Sequence, residues 1–184
     1  MSKKTARIVV LVLIVAVIAG MWVVKNDVFT DPAQTSQRDP SLLPENLREA
    51  DFSLNISEAQ DIEALAEYNL PLVIDYGADY CAPCKAMEPN LEAVNEAMYG
   101  KAFVKYVDVE EVPEAIGEVP VQVIPTQVFI NKDGTPFVPS EELSQQIVFN
   151  KYVYKDSGEH AFTIHQGILS QEQLLMILAE MGAE

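Results

Sequence analysis

The sequence predicts an α/β domain in which a central mixed β-sheet is flanked by helices, preceded by one N-terminal transmembrane helix. An apolar run rich in β-branched residues at 70–77 is followed directly by apolar positions at helical spacing. Further strand-like runs at 103–109 and 127–130 are separated by helix and turn signals. Strands and helices that alternate in this way are typical of a layered α/β sandwich. Residues 52–184 are long enough for one such core.

Capping and turn residues mark the individual elements. A serine followed three residues later by glutamine forms a capping box, which marks the first turn of a helix. Ser57 opens the first helix in this way and Ser170 opens the last. The predicted order is helix 57–68, strand 70–77, helix 81–100, strand 103–109, a short helical segment 113–116, strand 127–130, a turn at 132–134 and a helix from 170.

The N-terminal segment predicts where the domain resides. Residues 8–24 are uncharged and mostly aliphatic, and a helix of this length spans about 25 Å, near the short limit for a membrane crossing. The basic residues at 1–7 favour a cytoplasmic N-terminus. The proline-punctuated residues 25–51 then form a linker to an extracytoplasmic domain. The alternative is a cleaved signal peptide, which would yield a secreted protein.

The charge of the chain excludes one class of partner. It carries 28 acidic and 12 basic residues, for a net charge of −16. A surface of this sign repels phosphate backbones. We therefore expect no nucleic-acid binding.

The two cysteines carry the chemistry. Cys81 and Cys84 are the only ones in the chain, and they lie between a predicted buried strand and the first turn of a helix. The dipole and unpaired N–H groups of a helix N-terminus stabilise a thiolate at Cys81. Pro83 is tolerated there, because N–H groups of the first turn have no intrahelical partner. Cys84 is close enough to resolve a mixed disulfide formed by Cys81. The pair predicts thiol-disulfide exchange.

Two other chemistries use a Cys-x-x-Cys pair. A zinc site needs two further ligands, and only His160 and His165 are available, on a predicted strand. Covalent haem attachment needs histidine after the second cysteine, where this chain has Lys85. Redox chemistry is the favoured interpretation, with no metal and no cofactor.

The residues around the cysteines resemble the thioredoxin family. The segment 75–85, Asp-Tyr-Gly-Ala-Asp-Tyr-Cys-Ala-Pro-Cys-Lys, is similar to that family's active-site strand, turn and helix start. Pro89 falls at the position of its helix-kinking proline, and the segment 123–126, Val-Ile-Pro-Thr, resembles its cis-proline loop. The resemblance runs from about Leu54 to the C-terminus with one insertion, and it implies a thioredoxin fold.

The resemblance implies roles for further residues. Asp75 matches the buried carboxylate that exchanges protons with the resolving cysteine, and Lys105 matches a lysine near that carboxylate. Asp75 binding a local backbone group, and Lys105 being an ordinary surface lysine, are the alternatives. Pro125 matches the cis-proline, which the sequence without the resemblance does not predict. Ile124 matches the residue whose backbone pairs with a substrate strand.

Three positions depart from the family pattern. Gly77 and Tyr80 stand where typical thioredoxins have tryptophan, and Ala82 replaces the commoner glycine between the cysteines. With Pro83, the side chains of Tyr80 and Ala82 are expected to form the substrate-binding surface beside Cys81. The departures bear on substrate contacts and reduction potential, and leave the fold intact.

The insertion, at about residues 138–160, is absent from a minimal thioredoxin. Residues 147–154 alternate in polarity and are followed by a turn at 156–158, which predicts an added strand leading by a hairpin into 162–164. It either shapes the choice of partner or is an embellishment at the sheet edge.

Together these features predict a membrane-tethered, extracytoplasmic thiol-disulfide oxidoreductase that reduces disulfides of other proteins. The resemblance implies that a membrane thiol-electron transporter of the cytochrome c biogenesis type recharges it. A disulfide oxidase or isomerase is one alternative. A non-catalytic binding or chaperone module, whose cysteines would be dispensable, is another.

Overall fold

The computed structural model describes residues 38–183 of the chain. The predicted cytoplasmic segment 1–7 and membrane anchor 8–24 lie outside these residues, as do residues 25–37 of the predicted linker. Within the described part, no helix has the length and apolar character needed to cross a bilayer.

A five-stranded mixed sheet forms the centre of the domain. Its spatial order is β2-β1-β3-β5-β4, with β1 and β2 parallel and the other neighbouring pairs antiparallel. The predicted mixed sheet is therefore confirmed. The strands are β1 Leu72–Gly77, β2 Phe103–Asp108, β3 Thr126–Ile130, β4 Asn150–Val153 and β5 His160–Gln166.

Helices cover the sheet, and capping residues determine where they begin. The last helix has the predicted capping box between Ser170 and Gln173. The first α-helix begins three residues after Ser57, with Ala59 rather than the predicted Ser57 at its N-cap. The backbone N–H of Glu58 instead donates to the carboxylate of Asp61. The α-helices are α1 Gln60–Leu65, α2 Ala82–Ala97, α3 Glu141–Ser144 and α4 Gln171–Glu180, and 3-10 turns lie at Ala66–Tyr68 and Pro113–Ile116.

Alternation along the strands produces two apolar layers. Val73 of β1 packs with side chains of α2 and α4, whereas Ile74 and Tyr76 face the opposite layer. Because successive strand residues point to opposite faces, each central strand contributes to both layers. Asp75 shares its face with Val73, and so lies beneath the helix that carries the cysteines.

The folded unit begins at Pro40, earlier than the predicted domain start at residue 52. Two 3-10 turns, Pro40–Leu42 and Glu45–Leu47, occupy the end of the predicted linker. Leu47 is buried there. Prolines suit the first position of such turns, so the same residues that predicted an extended spacer open short helical turns that pack on the domain.

The insertion adds the edge strand β4, which pairs antiparallel with β5 as the predicted hairpin requires. It also enters the core. Leu143 and Ile147 are buried in the layer beneath α2 and α4, and the ring of Phe149 contacts the rings of Phe129 and Phe137. The insertion is thus packed into the domain as well as lying at its edge.

Candidate active site

The two cysteines form a disulfide at the start of α2, with their Cα atoms 5.2 Å apart. Cys81 is the N-cap of this helix, and its sulfur accepts a hydrogen bond of 3.2 Å from the backbone N–H of Cys84. Cys81 is 7% exposed and Cys84 is 3% exposed. Both cysteines are thus buried, Cys84 slightly more than Cys81, and the sulfur of Cys81 is the one that the helix N-terminus stabilises as an anion.

A cis-proline loop lies against the disulfide. The Ile124–Pro125 peptide bond is cis, as the resemblance implied. The sulfur of Cys81 lies 3.7 Å from the carbonyl oxygen of Ile124. Pro125 is held in turn by the backbone N–H of Gly167, which donates to its carbonyl oxygen at 2.9 Å. The loop therefore presents a backbone carbonyl group beside the sulfur of Cys81.

Exposed side chains surround this disulfide. Tyr80 is 69% exposed and Val123 is 55% exposed. Ala82 and Pro83 are also exposed, in the first turn of α2. Of the predicted substrate-binding residues, Tyr80, Ala82 and Pro83 thus face solvent beside a nearly buried disulfide, whereas Ile124 is half-buried and Pro125 is buried.

Asp75 is fully buried one layer below. Its Oδ1 accepts a hydrogen bond of 2.6 Å from the side-chain amide of Gln127, and its Oδ2 has no partner. Burial raises the pKa of Asp75 to about 7, against the opposing effect of that hydrogen bond. The same amide lies 3.4 Å from the sulfur of Met87, one helical turn after Cys84. Asp75 is therefore a buried acid poised to titrate near neutral pH beneath the cysteine helix.

The structure does not bring Lys105 to Asp75, so the predicted proximity of these residues is wrong. Lys105 pairs with Ile74 across β1 and β2, and therefore points to the face opposite Asp75. Its ammonium group lies 3.1 Å from Asp51 and donates to the carbonyl oxygen of Ser53 at 2.6 Å. The match of Lys105 to the family's lysine is wrong by one position along the strand. A shift of one residue moves a side chain to the opposite face of the sheet. Lys105 is also buried, contrary to the surface alternative.

Tyr106 is a residue of the site that the sequence reasoning missed. A Cβ built on Gly77 would lie 2.7 Å from the ring of Tyr106, so the tyrosine occupies the space of the missing side chain. It lines a cavity of about 230 Å³ together with Cys84, Glu88 and Asp108. Burial, helped by nearby carboxylates, raises the pKa of Tyr106 to about 12. The glycine at a usual tryptophan position was the available signal that another aromatic fills the gap.

The histidines that a zinc site would need are engaged elsewhere. The ring of His160 lies 2.8 Å from the hydroxyl of Thr163, and that of His165 lies 2.9 Å from the carbonyl oxygen of Val148. Both lie on β5, and the cysteine sulfurs are bonded to each other. The arrangement supports disulfide exchange.

Comparisons with known proteins agree with this geometry. The family model for thioredoxin matches residues 53–153, more than half of the chain. The thioredoxin of Staphylococcus aureus is 35% identical over 91 residues, which cover 46% of this chain and 86% of that protein. The thioredoxin of Mycoplasmoides gallisepticum is 32% identical over 97 residues, covering 50% and 95%. A crystal structure of chloroplastic thioredoxin z has a TM-score of 0.50 and 25% identity, covering 71% of this chain and 95% of that one. The chain therefore belongs to the thioredoxin family of thiol-disulfide oxidoreductases.

Proposed function

We propose that the protein is a membrane-tethered reductase of disulfides in extracytoplasmic proteins. The observation that carries the proposal is the Cys81–Cys84 pair at the N-terminus of α2, with the cis-proline loop beside Cys81 and a buried acid beneath. Thioredoxins act on protein disulfides. The direction of electron flow and the location are the parts that we add.

In the proposed reaction, the Cys81 thiolate of the reduced protein attacks one sulfur of a client disulfide. A Cys81–client disulfide forms, and the other client sulfur leaves as a thiolate that takes up a proton. Asp75 then accepts the proton of Cys84, whose thiolate attacks the sulfur of Cys81. The client leaves as a dithiol, and two electrons have passed from the protein to the client.

The residues at the helix start support the reducing direction. Pro83 precedes the second cysteine and Lys85 follows it, a pattern that resembles reducing thioredoxins. Periplasmic oxidants often carry histidine at the second spacer position. A protein that has given up its electrons needs a dithiol donor, and we propose a membrane thiol-electron transporter of the cytochrome c biogenesis type for that step.

The N-terminal sequence supports the location. Residues 8–24 are apolar and uncharged, and basic residues precede them. Protease treatment of intact cells or spheroplasts tests this: an anchored domain outside the cytoplasm stays with the membrane fraction and is digested from outside. Protection from the protease would contradict the location, and recovery in the soluble fraction would favour a cleaved signal peptide.

Insulin reduction tests the activity. The reduced full-length protein should cleave insulin disulfides in the presence of a dithiol donor, with Cys81→Ser inactive. An unchanged biological effect when both cysteines are replaced by serine would instead indicate a binding or chaperone module. Failure of the wild-type protein to reduce insulin, together with oxidation of reduced clients, would favour an oxidase.

A further inference from the structure

Gln127 is an unusual residue for the middle of this sheet. It lies in β3, is fully buried, and pairs directly with Asp75 across the antiparallel ladder. The layer around it is apolar, with Val73, Met87 and Phe129 all buried. A buried amide costs free energy unless it is hydrogen-bonded, so its contacts reveal what it does.

Its contacts fix the orientation of the amide. Nε2 donates to Asp75 Oδ1 at 2.6 Å and to the carbonyl oxygen of Gly167 at 3.2 Å. Exchanging the amide nitrogen and oxygen would place Oε1 against that carbonyl, with two acceptors in contact. The Gly167 carbonyl oxygen therefore keeps Nε2, rather than Oε1, on the side of the amide that faces the Asp75 carboxylate.

Two unsatisfied atoms remain in the pair. Asp75 Oδ2 and Gln127 Oε1 are buried and have no hydrogen-bond partner among the described residues. The amide holds Oδ1 through Nε2, a hydrogen bond that favours the carboxylate, and leaves Oδ2 as the oxygen with no partner among the described residues.

The groups around Asp75 leave Gln127 as its only hydrogen-bond partner among the described residues. From β2, Tyr106 is the titratable neighbour, and its own pKa is raised by burial and by Asp108 and Asp75. From α2, Glu88 acts on the same Tyr106, and Cys84 lines one cavity with Tyr106 and Glu88. Burial raises the pKa of Asp75 by favouring the neutral acid, and the hydrogen bond from Gln127 lowers it by favouring the carboxylate.

We propose that Gln127 is a positioning residue for proton exchange at Asp75, whose amide holds Oδ1 and stabilises the carboxylate, leaving Oδ2 as the atom that takes the proton of Cys84. This rests on the proposed function. The proton moves from the Cys84 thiol to Oδ2 as the Cys84 sulfur attacks Cys81, so no other reactant is needed.

The test is the titration of Asp75 in the full-length protein, followed through its carboxyl carbon by NMR. Gln127→Met keeps the approximate volume and removes the amide. One hydrogen bond to a charged group corresponds to an upward shift of the Asp75 midpoint of about one pH unit. Resolution of the mixed disulfide should slow about fivefold at pH 7, because the ionised fraction of Asp75 falls from about one half to about one tenth, and the acidic limb of the pH–rate profile should be displaced upward. Gln127→Asn, which keeps a shorter amide, should give a smaller shift and serves if the methionine variant does not fold.

Two controls separate positioning from a structural role. Val128→Ala alters the adjacent buried residue on the other face of β3, and should lower stability without moving the Asp75 midpoint. In an Asp75→Asn background, Gln127→Met should produce no further change in the pH–rate profile. An unmoved Asp75 midpoint in a folded Gln127 variant would overturn the proposal. Since the midpoint is read without catalysis, a failure of the proposed function would leave this readout intact.

Discussion

At the scale of single residues, the two cysteines differ in what can reach them. Cys81 lies beside the cis-proline loop and caps α2, whereas Cys84 is more deeply buried and lines the cavity with Tyr106. This asymmetry agrees with the proposed reaction, in which Cys81 attacks the client and Cys84 resolves the mixed disulfide. Replacing one cysteine or the other should therefore have different effects.

Cys84→Ser should therefore trap clients. Cys81 still attacks a client disulfide in this variant, but no second sulfur resolves the mixed disulfide. We expect a client adduct that is sensitive to dithiothreitol on non-reducing gels. The matched Cys81→Ser variant should give no adduct, and equal trapping by both variants would contradict the assignment.

Asp75→Asn should stabilise the protein at neutral and alkaline pH. Because its pKa is raised from the ordinary 3.8 to about 7 in the folded state, Asp75 keeps its proton between these pH values only while the protein is folded. The associated stability is full below pH 4 and is lost as the pH rises through 7, by up to about 4 kcal/mol. Urea unfolding of both forms should show a gap that opens from pH 4 to 8, and a gap independent of pH would contradict the buried-acid assignment.

The sequence predicted the residues whose roles follow from a local motif. The Cys-x-x-Cys helix start and the proline loop are read from contiguous residues, and the structure brings them together. The predicted proximity of Lys105 to Asp75 was wrong because a single position along a strand decides which face of the sheet a side chain occupies. Gln127 gave no local signal, since its importance depends on which residue faces it across two strands.

At the scale of elements, an aromatic ring on β2 fills the space beside a glycine on β1. Gly77 in β1 leaves space that the ring of Tyr106 in β2 fills. The sequence showed the vacant position, but only the register between the two strands identifies what fills it.

Gly77→Ala should destabilise the domain because the new methyl group meets the Tyr106 ring at 2.7 Å. Overpacking of this kind costs about 1–3 kcal/mol. Chemical denaturation of the variant measures the loss, and the cost should shrink in a Tyr106→Val background, where the ring is gone. An equal cost in both backgrounds would show that the ring is not the cause.

The insertion contributes a buried side chain to the core of the domain. Ile147 is 2% exposed and packs in the main core, whereas its neighbour Val148 is 71% exposed. Ile147→Ala should cost about 2–5 kcal/mol, and Val148→Ala less than about 0.5 kcal/mol. Thermal or urea unfolding measures both. Equal small effects would mean that the insertion is only a surface addition.

At the scale of the whole molecule, the folded unit begins at Pro40 and shortens the tether of the proposed membrane form. Residues 25–39 then lie between the predicted anchor and the domain. Fully extended, they span at most about 50 Å. This length is the longest reach of the proposed tether.

The overall architecture was largely predictable, because alternating strand and helix patterns reflect burial over many residues. The start of the domain was not. Proline-rich residues are compatible both with a spacer and with short 3-10 turns, and only the burial of Leu47 distinguishes the two.

The reduction potential of the Cys81–Cys84 couple tests the central claim most directly. Purified full-length protein would be equilibrated in glutathione and dithiothreitol buffers, and the fraction of disulfide measured by thiol alkylation. If the protein is a reductase, we expect a reduction potential of about −270 mV, the value of thioredoxin. A value between about −180 and −120 mV, the range of disulfide isomerases and oxidases, would contradict the proposed direction of electron flow.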